Sequence, residues 1–282
     1  MAESSMKDIK LRIKSVESTM QITKAMQLVA TSKMRRSKER MENSKPYAKV
    51  SAEAIAAVAA SFHGGNIPFV TPRAQVKKRC YVVIAGDRGL AGGYNANVFK
   101  AVAADSEGVE YCVLPIGRKA IEKYQHIGVE CVADRFFPVA GMPVSECYKM
   151  AELLANGYRE GKFDEVFLVG TDFKSMMTQE VSTKQLLPIQ PDLSKTDRIA
   201  STEYEPDAET MLMQVVPDLL AGLLYSAICD AGASENAARR NAMDSATKNA
   251  DGMISSLRLK YNRARQGSIT QEITEIVAGA EK

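Results

Sequence analysis

The sequence predicts an α/β protein: a long antiparallel coiled coil of N- and C-terminal helices with an inserted Rossmann-like α/β domain. Three observations carry this. An apolar seam free of Gly and Pro precedes Pro46, a second, proline-free stretch follows Pro217, and short, continuously apolar β-rich runs lie between them.

The N-terminal arm has no Gly and no Pro before Pro46. Within it Ile9, Ile13, Val16, Met20, Thr23, Gln27, Ala30 and Met34 alternate steps of four and three, the spacing of a coiled-coil seam. Ile22, Met26 and Val29 make a flanking stripe, so this helix should touch more than one neighbour. The C-terminal arm runs proline-free from Pro217 to the end, long enough for a helix of roughly 100 Å at about 1.5 Å per residue. It is richly apolar from Leu212 to Ile228. It then thins to a seam of Met243, Ala246, Ala250, Met253, Leu257, Tyr261 and Ala264, closed by Ile269, Ile273 and Ile276. Glycines at 222, 232, 252, 267 and 279 are its weak points, because Gly destabilises a helix interior.

Between the arms, CYVVIA (80–85), YCVLPIG (111–117) and EVFLVG (165–170) read as strands buried on both faces. VECVAD near Val129 and EVSTKQLLPI after Gln179 read as edge strands, with helices expected at 117–127 and 144–158. This alternation predicts a largely parallel, doubly wound sheet. The divisions expected are residues 1–62 (N-terminal helix), 76–190 (α/β domain) and 207–282 (C-terminal helix). Helices so far apart in sequence can pair only if the domain is inserted at one end of their hairpin.

Composition narrows the function. The first fifty residues carry 12 Lys/Arg against 5 Asp/Glu in a chain of net charge +3, so a basic arm seeks an acidic partner. Fourteen Met and no Trp suit helix seams and adaptable contact surfaces. Five widely spaced cysteines show neither a CxxC pair nor a Cys/His cluster, so no zinc site or disulfide framework is indicated. Cys80 and Cys112 read as small buried hydrophobes in a reducing compartment. No apolar signal core and no run of about 18 apolar residues stands out, so membrane association is expected only through a partner.

GDRGLAGGYN (86–95), directly after a strand, is the most enzyme-like feature, since such turns cradle phosphate. Its spacing is not GxGxxG and no Lys-Ser/Thr follows, so a tight turn with Asn95 or Asn97 at the helix start is the stronger reading. His63 and His126 stand alone, and no catalytic arrangement, metal site or cofactor site is expected. The basic run KMRRSKER (33–40), with Arg258, Lys260, Arg263 and Arg265, admits a solvated helix face, a nucleic-acid contact or attraction to acidic loops of an enclosing protein. A nucleotide-binding α/β enzyme with a coiled-coil arm is the alternative to a mechanical shaft.

Four motifs then stand in one order: QITKAMQLVATSKM (21–34), GDRGLAGGYN, TEYEPD (202–207) followed by SENAARRNAMDSATKNA (234–250), and the tail ITQEITEIVAGAEK. Together they resemble the γ subunits of F-type ATP synthases across essentially the whole chain. The resemblance implies a non-catalytic rotor shaft inside a ring of α and β subunits, coupling ion flow through a membrane c-ring to ATP synthesis on β. It implies partners α, β, ε and the c-ring, no nucleic acid, no cofactor, and a place at the cytoplasmic face of the cell membrane through Fo. Carried over residue by residue, Lys24 and Met26 match a site facing an acidic loop of β. Arg239, Arg265, Gln266, Thr270 and Glu272 match coupling contacts to β, and Tyr204 and Glu205 match the foot on the c-ring and ε. The cysteine insertion of plant-type relatives is missing between Asp192 and Thr202, so thiol control of that kind is not expected.

Overall fold

The computed structural model describes residues 2–60, 68–133, 135–190, 205 and 208–280. In chain order the elements are α1 (Ala2–Ala60), β1 (Lys78–Ile84), α2 (Tyr94–Asp105), β2 (Glu110–Ile116) and α3 (Arg118–His126). Then come α4 (Val144–Arg159), β3 (Glu165–Phe173), β4 (Gln179–Leu187) and α5 (Ala208–Ala280). They divide into two units, residues 1–31 with 239–282, and residues 32–238.

The first unit is a helix pair. Glu17 meets Arg258, Thr23 meets Thr247 and Gln27 meets Asp244, so one number rises as the other falls and the helices run antiparallel. Ile9, Ile13, Val16, Met20, Thr23 and Gln27 are half-buried and Ala30 is buried, while Leu11, Ile22, Leu28 and Val29 are exposed. The seam read from the 3/4 spacing is thus the buried face of α1. Its polar positions pair across the seam, with Thr23 and Thr247 hydroxyls 2.8 Å apart and Gln27 Nε2 donating to Asp244 Oδ1 at 2.9 Å. Such pairs give one register its partners and leave half-buried polar groups unmatched in any other.

On α5 the expected seam is off by one residue in places. Met253 is 47% exposed and Ile254 only 4%, and the inward set is Met243, Thr247, Ala250, Ile254, Leu257, Tyr261, Ala264 and Ser268. That set alternates four and three without a break, the period of a left-handed coiled coil. Ile269, Ile273 and Ile276 do not close the seam; they are exposed, with Ser268 in the inward position.

In the second unit the sheet order is β2-β1-β3-β4, parallel except for the antiparallel edge strand β4. Residues pointing one way, among them Val82, Ile84, Leu114, Ile116 and Leu168, pack with α4, with Ile55 of α1 and with Val216, Leu220 and Leu224 of α5. Tyr81, Val83, Val113 and Val169 point the other way, against Val98 and Val102 of α2 and Tyr124 of α3. Covering both faces is what makes β1 and β2 continuously apolar.

Two expectations need correction. Among its described residues, 129–133, VECVAD forms no strand, only a single bridge of Cys131 to Val113. Val113 donates to Glu130 O and accepts from Val132 N–H, but the next residue of β2 facing that edge is Pro115, which has no N–H to continue the ladder. One 18-residue stretch of α5 also reaches a mean hydropathy of 1.6, apolar enough to span a membrane by composition. Half of that stretch is buried within this chain, as befits a core helix.

Candidate functional site

The glycine-rich turn leaves the C-terminal end of β1, where open α/β sheets bind ligands. Here it is filled from within the chain. Gly86 N–H donates to Asn95 Oδ1 at 2.8 Å, and Asn95 Nδ2 reaches Arg88 O at 3.4 Å. A Cβ at Gly86 would stand 2.7 Å from the carboxyl carbon of Glu235 and 2.9 Å from its Oε1. Glu235 comes from α5 and is buried. The Glu235 side chain therefore occupies the place a phosphate would have to approach.

Three more contacts bolt α5 to the sheet and brace the turn around this point. Tyr94 donates its hydroxyl to Ala231 O at 3.1 Å, and Ser234 Oγ donates to Thr171 O at 3.2 Å. Asp87 turns to the other side, accepting from the backbone N–H groups of Ala140 at 3.0 Å, Val139 at 3.1 Å and Arg118 at 3.3 Å. Gly117 completes the joint with φ +92°, because a Cβ there would lie 1.9 Å from Ala85 O. The expected tight turn anchored by Asn95 is present. Glu235 escaped sequence reasoning; its signal is an acid among Ala231, Ala233 and Ala237, small residues that mark close approach.

Beside the joint lies a cleft of ≈360 Å³ between α1, the loop 139–142 and α5. Lys33, Arg36 and Arg40 line it, spaced i, i+3 and i+7, which puts them on one helix face. Arg40 donates to Met142 O at 3.3 Å, and a hydrogen bond with Tyr225 raises its pKa. Lys33, Arg35, Arg36 and Lys38 are exposed. The basic run is thus divided between a solvated face and a cationic cleft.

The residues carried over by resemblance occupy two stretches of the helix pair. Lys24 is exposed and Met26 half-buried beside it on α1, and Arg239 is half-buried on α5. Arg265, Gln266, Thr270 and Glu272 are all exposed near the end of α5. Thr270 Oγ1 donates to Gln266 O at 2.9 Å, and Ser268 Oγ donates to Glu272 Oε1 at 3.4 Å. With Thr23 opposite Thr247, Lys24 stands about 35 Å along the helix from Thr270, at about 1.5 Å per residue. The structure does not gather them into one site. Glu205 is exposed, and Tyr204 and His63 lie outside the described residues. Among the described residues no group of three or more His, Cys, Asp or Glu side chains could hold a metal ion.

A family model described as ATP synthase matches residues 5–282. The ATP synthase gamma chain of Ruminococcus albus is 43% identical over 279 residues, spanning 97% of this chain and 96% of that one. That of Alkaliphilus metalliredigens is 41% identical and covers 98% of both. Among solved structures, a chain of the Euglena gracilis mitochondrial ATP synthase (OSCP/F1/c-ring) superposes with a TM-score of 0.68 at 15% identity, covering 99% of this chain and 94% of that one. A chain of the Tetrahymena thermophila central stalk and c-ring gives 0.58 at 23% identity, covering 80% and 99%. At these identities the two superpositions speak for the fold.

Proposed function

The chain belongs to the ATP synthase family, among its gamma chains, and from that premise we propose how its geometry serves the complex. It is the rotary central-stalk subunit of an F1Fo ATP synthase. It couples turning of the ion-driven c-ring to ATP synthesis on the β subunits and is itself non-catalytic. The observation that carries this reading is the near full-length identity to gamma chains, on a chain whose terminal helices pair antiparallel.

The physics suits a shaft. Paired helices resist bending and twisting better than one. The apolar residues that the pair leaves exposed, Ile22 and Val29 on α1 and Ile269, Ile273 and Ile276 on α5, are available to an enclosing ring. Lys24 and Met26, with Arg239, Arg265, Gln266, Thr270 and Glu272, make the coupling contacts to β in this reading, while Tyr204 and Glu205 belong to the foot on the c-ring and ε. The cations of the cleft attract acidic loops of the ring without locking to one subunit, since exposed charges are screened within about 8 Å. The assembly sits at the cytoplasmic face of the cell membrane, held there by Fo, and nucleic acid plays no part.

Detergent extraction of native membranes followed by affinity purification of this chain tests the reading. The α, β and ε subunits and the c-ring should co-purify in stalk stoichiometry. Recovery of the chain alone from an extract that retains ATPase activity overturns it. The nucleotide-binding alternative is disfavoured by Glu235 at Gly86, and calorimetry with ATP and NAD should show no binding at the turn.

A further inference from the structure

A basin of ≈970 Å³ opens at the end of the sheet away from the glycine-rich turn, where β1 and β2 begin and α4 ends. Five cationic side chains line it against two carboxylates. Lys78 and Lys162 are neutralised, Lys78 Nζ lying 2.6 Å from Glu130 and 3.6 Å from Glu110, and Lys162 Nζ 2.7 Å from Glu160. Asp164 is engaged by the backbone N–H groups of Lys77 and Lys78 at 2.7 and 3.1 Å. Arg73 reaches Asp164 through Nε at 3.4 Å and donates to Tyr158 O through Nη2 at 2.6 Å, which leaves Nη1 unused among the described residues. Lys77 and Arg159 are exposed, and among the described residues neither side chain has an ion pair or a hydrogen bond.

Tyr158 lines the same basin, yet it is only 3% exposed and its hydroxyl has no hydrogen-bond partner. A buried hydroxyl left so is a cost to the fold that a ligand can remove. Its ring stacks on Phe69 at 5.9 Å between centroids and lies under the Arg73 guanidinium at 5.3 Å. Phe69 holds that place at φ +69°, a left-handed backbone that bulky residues rarely adopt, with its carbonyl tied to Ile189 N–H at 2.6 Å. Burial raises the Tyr158 pKa, so the hydroxyl remains a donor. The carbonyls that end α4 would repel an anion, but they are occupied. Tyr158 O accepts from Arg73 and from Gly161 N–H, and Gly157 O accepts from Lys162 N–H.

We propose that this basin binds a phosphate group, gripped by Lys77, Arg159 and the spare Arg73 amino group and completed by the Tyr158 hydroxyl. A phosphate presents several oxygens to several donors at once and carries the charge that the surplus of cations lacks. Because Arg73 lies over the Tyr158 ring, its shift toward the phosphate opens the way to that hydroxyl. The group belongs to free phosphate or to a phospholipid headgroup, since the basin is wide and open enough to admit either. This inference stands apart from the rotor reading.

The full chain is titrated into inorganic phosphate and followed by the phosphorus NMR line width, against chloride at matched ionic strength. In a second arm it is sedimented with phosphatidylcholine vesicles that contain or lack phosphatidylglycerol. Saturable line broadening identifies free phosphate as the source, and retention only on the phosphatidylglycerol vesicles identifies a headgroup; either supports the site. Lys77→Ala with Arg159→Ala should weaken that binding at least about tenfold. Tyr158→Phe should weaken it at least about threefold without lowering the thermal midpoint, because the hydroxyl it removes has no partner within the chain. Lys10→Ala with Lys14→Ala removes the same charge from exposed positions of α1 and should leave binding unchanged. The proposal is overturned if neither probe binds, if the two double variants weaken binding equally, or if Tyr158→Phe binds as the wild type does.

Discussion

Replacing Gly86 with alanine tests whether the glycine-rich turn is a joint for α5. The added Cβ would stand 2.7 Å from the Glu235 carboxyl carbon, 2.9 Å from its Oε1 and 3.2 Å from Asn95 Oδ1. The backbone of Gly86 is not in the left-handed region, so no dihedral penalty arises, and Gly→Ala alone would stabilise by about 0.4–1 kcal/mol through the unfolded chain. Against that, a buried carboxylate must leave its place, which costs about 1–3 kcal/mol when its contacts are disrupted. The net expectation is destabilisation by about 1–2 kcal/mol, a fall of roughly 2–6 °C in thermal midpoint for a chain of this size. Thermal unfolding of the purified chain by circular dichroism reads it. Glu235→Ala removes the obstructing atoms, so in a double-mutant cycle the alanine at 86 should cost at least about 1 kcal/mol less. Equal costs of Gly86→Ala with and without Glu235, or a wild-type midpoint in the single variant, would refute the reasoning.

Other outcomes follow from the same geometry. Gly117→Ala should be more damaging than Gly86→Ala, by about 2–4 kcal/mol or loss of folding, because its Cβ meets backbone oxygen at 1.9 Å and φ is +92°; denaturant titration measures this. Ile254→Ala should cost about 2–4 kcal/mol whereas Met253→Ala stays within about 0.5 kcal/mol, since the first is buried and the second exposed. Similar losses in the two variants would show the seam phase to be wrong. Met26→Lys should place a second cation near Lys24 and lower proton pumping per ATP at normal assembly, if these residues meet an acidic loop of β as proposed; acridine-dye quenching in inverted vesicles reads it, and unchanged efficiency sinks the coupling role.

Much of this fold is local in origin, and that part can be read from the amino-acid order alone. The seam from Ile9 to Ala30 was legible because a 3/4 apolar spacing uninterrupted by Gly or Pro has one helical solution. The strands at Lys78–Ile84, Glu110–Ile116 and Glu165–Phe173 were legible because burial on both faces demands continuous apolarity. Family membership was legible too, being written in motifs spread over the chain.

Whatever depends on a partner was settled by packing in three dimensions. Met253 and Ile254 are adjacent and both apolar, so only the opposing helix could choose which turns inward. VECVAD has strand composition, yet Pro115 on β2 withholds the donor it would need. The glycine-rich turn looked like a place for a phosphate until a carboxylate 149 residues further along the chain, Glu235 against Gly86, was brought onto it. Periodicity fixes the kind of element a segment forms; phase, pairing and what fills a turn are set by groups distant in sequence, which no local pattern records.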